Sequence, residues 1–142
     1  MKKFIGSIFI SFLFFLVSCG SKVTEENLKD INGYWEIEQV KLPDGTEKDY
    51  SISTTIDHFE IDIKGKGFRQ KVVPQMDGTY ETNGVKETVV LKQEESIYWI
   101  EYKTEYASWK EQLLSIDKDH MIVKNANDIV YTYKRPIPFS KK

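Results

Sequence analysis

Cysteine is almost absent: Cys19 is the single one in 142 residues, so no disulfide can form within the chain. Histidine is nearly as scarce. His58 and His120 are the only two, and neither stands in a recognisable nucleophile motif, so the chain is read as a non-enzyme with no cofactor. An excess of basic charge is also missing, since 20 Lys and Arg face 22 Asp and Glu for a net charge of −2. That balance excludes the basic footprint a nucleic acid requires. No apolar run is long enough to remain as a membrane-spanning helix. The longest, Phe4 to Val17, has fourteen residues and is interrupted only by Gly6, Ser7 and Ser11. Past Asn32 no segment sustains a helical period, and there is neither an internal repeat nor a low-complexity tract.

What is present begins with that apolar run. Lys2 and Lys3 precede it and Leu16-Val17-Ser18-Cys19 ends it, the order of a secretory leader. The last four residues resemble the lipobox of bacterial lipoproteins, in which the cysteine is acylated with palmitate-type chains and becomes the new N-terminus. The resemblance implies a signal peptide over 1–18, then a lipidated Cys19 and linker over 19–26. It also implies a protein held in the bacterial cell envelope by its lipid, on the periplasmic side or at the cell surface. Each buried CH₂ contributes roughly 0.8 kcal/mol, so about three acyl chains make dissociation negligible. Loss of Lys2 and Lys3 with the leader makes the mature chain more acidic, which argues against its lying flat on an anionic membrane.

One domain is expected over 27–136, with a disordered tail over 137–142. Thr24 is placed to cap a short helical turn through Glu25, Glu26 and Asn27, ended by Asn32-Gly33. The rest reads as strand and turn. Phe59, Ile61 and Ile63 alternate with His58, Glu60 and Asp62. Phe68, Gln70 and Val72 alternate with Arg69, Lys71 and Val73 up to Pro74. Asp77-Gly78 and Asn83-Gly84 are hairpin-type dipeptides. Further strands run through Thr88–Leu91, Ile97–Tyr102, Trp109–Ile116, Met121–Val123 and Ile129–Tyr133. Eight or nine short strands joined by tight turns predict an all-β antiparallel meander. Closing into an eight-stranded up-and-down barrel hides its edges best, with a β-sandwich as the rival.

Gly33-Tyr34-Trp35 opens the first strand after the helical turn, and Arg135 follows the last strand. This pattern resembles the lipocalins, and in particular the short lipocalin-like domains of bacterial lipoproteins. The resemblance implies that Gly33, Trp35 and Arg135 close one end of the barrel, the guanidinium packing over the indole. It also implies a small hydrophobic ligand in the barrel.

Six bulky side chains are expected to point inward: Trp35, Phe59, Phe68, Trp99, Tyr131 and Tyr133. Along Ile97–Tyr102, Ile97 and Trp99 share one face and Tyr98, Ile100 and Tyr102 the other, so both carry large rings. Phe59, Phe68, Tyr98, Trp99, Tyr102, Tyr131 and Tyr133 are therefore the candidate contacts for a small ligand or for a partner protein of the envelope. His58, Glu60 and Asp62 share a strand face and could approach a metal only with help from a neighbouring strand, so no metal site is assigned. His120 is read as a solvated turn residue. Two functions stay open: a barrel that binds a small apolar molecule, and a filled barrel that engages another protein.

Overall fold

Tight polar turns mark most of the chain reversals. Residues 62–65, 75–78 and 94–97 turn tightly, with Gly65 and Gly78 at φ 75° and 86° and with Glu95 and Ser96 both at positive φ. Between them the β-branched and aromatic runs extend as strands. The structure is a computed structural model and describes residues 22–139. Cys19, the leader and residues 140–142 lie outside the described residues.

A short 3-10 helix, Leu28–Ile31, precedes nine strands among the described residues: β1 Gly33–Lys41, β2 Glu47–Asp49, β3 Ile56–Ile61, β4 Lys66–Pro74, β5 Tyr80–Glu94, β6 Ile97–Lys103, β7 Ser108–Ile116, β8 His120–Lys124 and β9 Val130–Lys134. The sheet order is β2-β1-β3-β4-β5-β6-β7-β8-β9, every pair antiparallel, and β1 also pairs with β9. That last ladder, from Glu36↔Lys134 to Lys41↔Val130, closes eight strands into a barrel; β2 is an added edge on the second half of β1. The expected up-and-down barrel is present, and the sandwich alternative is excluded by the closing ladder.

Local details depart from the sequence expectation. The helical turn is not capped by Thr24. Asn27 Oδ1 instead accepts from the Thr24 amide at 2.8 Å, and Asn27 Nδ2 donates to the carbonyls of Lys22 and Ile116. Ile63 does not continue the apolar face of β3. The strand ends at Ile61, where Asn32 pairs with its amide and carbonyl, and Ile63 is fully exposed in the following turn. Asn83-Gly84 is no hairpin corner; it bulges within the fifteen-residue β5, opposite the register shift between Gln70 and Val72.

The apolar core fills the end of the barrel where the 3-10 helix sits. Ile31, Trp35, Val89, Ile100, Ile116, Met121 and Val123 are all essentially inaccessible there. At about 1.5–3 kcal/mol per fully buried large side chain, this layer is the main source of stability in a chain without disulfides.

Candidate functional site

Gly33, Trp35 and Arg135 come together as the lipocalin resemblance implies. The Arg135 guanidinium carbon lies 3.5 Å from the centre of the Trp35 ring. Its nitrogens donate to the carbonyls of Asp30, Asn32, Tyr34 and Lys118 at 2.6–3.2 Å, tying the helix, β1 and the β7–β8 turn together. Gly33 adopts φ +105°, and a Cβ there would stand 3.1 Å from Arg135 Nη1. The Trp35 indole N–H donates to the Ile31 carbonyl at 2.7 Å. This end of the barrel is shut.

The opposite half of the interior is polar. Alternation puts Asp57 and Phe59 of β3, Arg69 of β4, Tyr102 of β6, Glu111 of β7, and Tyr131 and Tyr133 of β9 inside. Arg69 forms an ion pair with Glu87 and lays its guanidinium carbon 4.2 Å from the centre of the Tyr102 ring. The Tyr102 hydroxyl donates to Glu111 at 3.1 Å, and Trp109 stacks on the Tyr102 ring at 5.3 Å. Asp57, only 3% exposed, pairs with the half-exposed Lys71. Burial raises the Glu111 carboxyl, opposed by the charge of Arg69. Burial likewise holds the phenols of Tyr102 and Tyr133 well above their ordinary value, with Glu111 and Asp57 respectively adding to it.

Above this layer lies a mouth cleft of about 290 Å³. Its floor is Trp35, Ile37 and Tyr133; its wall is the segment Tyr50–Thr55 between β2 and β3; Asp57 and Lys71 supply its charge. The cleft offers an apolar base in which Ile37 is the accessible side chain, with the rings of Trp35 and Tyr133 buried beneath it, and one carboxylate and one ammonium at its side. Such a site suits a small molecule with an apolar body and a polar group, held by packing and oriented by hydrogen bonds.

The candidate contacts divide between two faces. Phe59, Tyr98, Tyr102, Tyr131 and Tyr133 point inward, although Tyr98 lies toward the shut end, packed against the core beside Leu113. Phe68 and Trp99 face outward, contrary to expectation. Phe68 lies opposite Glu60 and Thr88, with Lys86 Nζ 3.8 Å from its ring centre. It is displaced from the interior because Arg69, held by Glu87 and Tyr102, takes the inward side of β4. Trp99 lies between the inward Ile100 and Tyr98 and is covered by Lys110 at 4.1 Å. His58 stacks on Tyr34 at 4.4 Å outside the barrel, and Tyr34 on Tyr80 at 4.2 Å. His58, Glu60 and Asp62 do not converge: the Asp62 carboxylate accepts from the amides of Lys64 and Lys66 in its own turn. His120 is exposed, as expected, but it is the first residue of β8, paired with Lys134, and not part of the turn; its ring lies 3.7 Å from Glu38.

The sequence reading missed Asp57, Arg69, Lys71 and Glu111. A signal for two of them exists in the strict alternation of Arg69 and Lys71 with Phe68 and Gln70, but hydrophobicity alone marks the Phe68 side as inward.

Two solved structures are similar to parts of this chain. A lipocalin-like protein from Bacteroides uniformis is 12% identical, with 75% of this chain and 99% of that one covered and a TM-score of 0.49. An uncharacterized protein from Bacteroides eggerthii is also 12% identical, with coverages of 74% and 98% and a TM-score of 0.48. Neither a family model nor a curated protein matches the chain.

Proposed function

We propose that this chain is a lipid-anchored protein of the bacterial cell envelope that binds one small, largely hydrophobic molecule in the mouth of its barrel. The observation that carries the reading is the mouth cleft of about 290 Å³ over Trp35, Ile37 and Tyr133. Its size, just under the usual range of roughly 300–1,000 Å³ for ligand pockets, selects a compact ligand. The Asp57–Lys71 pair gives that ligand a polar end. The lipobox-like run ending at Cys19 supports the anchor and the envelope location.

The full chain titrated with N-phenyl-1-naphthylamine tests the binding reading. Saturable fluorescence gain at one site, competed by a molecule that co-purifies and is seen by native mass spectrometry, is the expected outcome. Tyr50→Ala, on the cleft wall, should weaken probe binding about tenfold, the equivalent of ~1.4 kcal/mol. Equal binding by the parent and this variant defeats the mouth as the site.

A second reading draws on the outer face. The ladder of Tyr80, Tyr34 and His58, flanked by Phe68, presents rings on the outside of β1, β3, β4 and β5. Such a surface suits a protein partner in the envelope. Substitution of Tyr34 and Phe68 should then abolish capture of that partner and leave probe binding in the mouth intact.

A further inference from the structure

A second recess lies at the shut end, outside the barrel, and is larger than the mouth cleft at about 570 Å³. Its floor is Leu28 of the 3-10 helix, Ile61 of β3 and Leu91 of β5, all packed against the core. Its rim is set by two loops. Glu25, Glu26 and Lys29 come from the segment around the helix, while Ile63 and Lys64 come from the β3–β4 turn. We infer that this recess receives an acyl chain of a bilayer phospholipid with a zwitterionic headgroup, the rim binding phosphate and ammonium at once.

Position and charge carry the inference. The chain reaches the domain at this end: Asn27 Nδ2 holds the carbonyl of Lys22 at 2.9 Å and that of Ile116 at 3.1 Å. Cys19 stands three residues before Lys22, so a lipid on it is at most roughly 10 Å of extended chain away. A domain tethered so closely turns this end to the bilayer. The fully exposed Ile63 then sits at the lipid side of the rim, where an apolar side chain is well placed.

The rim charges are matched in number. Asp62 and Lys92 also line the recess, but the Asp62 carboxylate is used within its own turn and Lys92 pairs with Glu101 at 2.7 Å. Glu25, Glu26, Lys29 and Lys64 stand in no ion pair among the described residues. Two carboxylates and two ammoniums around one apolar floor complement a headgroup that carries both signs. An anionic headgroup would leave Glu25 and Glu26 facing like charge.

The orientation rests on the anchored reading given above, and the test separates the two. The full chain, purified in non-ionic detergent, is mixed with vesicles of phosphatidylethanolamine or of phosphatidylglycerol, re-extracted and weighed by native mass spectrometry. One phosphatidylethanolamine per protein is expected, with phosphatidylglycerol retained about fivefold less, the equivalent of ~1 kcal/mol per charge near a headgroup. Glu25→Lys with Glu26→Lys should reverse that preference, and Leu28→Glu should abolish retention. No bound lipid, equal retention of both lipids, or retention unchanged in Leu28→Glu overturns the proposal. Should Leu28→Glu lose its β-sheet circular dichroism, the doubly substituted turn, exposed and outside the core, decides alone. An intact mass showing unmodified Cys19 removes the anchor while lipid retention still tests the recess. Tyr50→Ala in the mouth should leave lipid retention unchanged.

Discussion

Arg135 lies flat on Trp35, its guanidinium carbon 3.5 Å from the ring centre, and spends its donors on four backbone carbonyls. Replacing it therefore uncovers the indole and leaves carbonyls of the helix and β1 without donors. Arg135→Ala should lower stability in urea unfolding by about 2–4 kcal/mol. Arg135→Lys should recover little of the loss, because one ammonium cannot span the positions that a planar fork reaches.

Gly33→Ala tests the same junction from the other side. Its φ of +105° is outside the range L-residues adopt readily, and the new methyl would press on Arg135 at 3.1 Å. A loss of roughly 1–3 kcal/mol is expected from backbone conformation alone. A neutral result in thermal unfolding would mean that the helix and β1 meet differently.

Inside the mouth, Arg69 is the counter-charge for Glu87 and lies over Tyr102. Arg69→Met leaves the partly buried Glu87 carboxylate without its partner and should cost about 1.5–3 kcal/mol at neutral pH. The loss should shrink in acid, as the carboxylates become protonated. Chemical denaturation at two pH values measures both effects.

Glu111 gives a distinct pH signature. Burial raises its carboxyl above the unfolded value, so the folded protein binds its proton more tightly. The stability it contributes is complete below the unfolded pKa of a glutamate and is lost as pH rises through the higher folded value. Glu111→Gln, which keeps an acceptor for the Tyr102 hydroxyl, should remove that decline. Relative to the parent it should gain stability between mildly acidic and neutral pH. A parallel pair of stability curves would refute the assignment.

Cys19→Ala addresses the anchor. The expected result is protein in the soluble envelope fraction or as uncleaved precursor, whereas the parent partitions into detergent. Unchanged detergent partitioning of the variant would remove the lipid from the account.

Much of the barrel was legible because period-two alternation and turn dipeptides are local signals. Ile97–Tyr102 separated its two faces correctly, although Trp99 was expected inside and Tyr98, Ile100 and Tyr102 take the core side, and Asp77-Gly78 marked a real corner. Gly33, Trp35 and Arg135 were legible through their position relative to the first and last strands. The inward face of β4 was not. Hydrophobicity favours Phe68 inside, but Arg69 wins because Glu87 on β5 and Tyr102 on β6 supply its partners, and neither can be read from β4 itself. Asn83-Gly84 misled for a related reason: a residue pair that tolerates positive φ serves a bulge as well as a hairpin, and only the cross-strand register decides. The short strand β2, exposed and polar, carries no apolar pattern to detect. The mouth cleft and the outer recess were hidden altogether, since both are made by elements distant in sequence.

The ladder between β1 and β9 joins the two extremes of the domain, Glu36 to Lys134, whereas β3 to β8 each pair with the strand that follows. Such a meander can zip from hairpin to hairpin at little loop-closure cost, but its final seam must wait until nearly the whole chain is in place. Ring closure is then the slow event of folding. Substitutions on that seam, at Ile37 or Tyr133, should retard refolding more than equally disruptive ones within the β6–β7 hairpin.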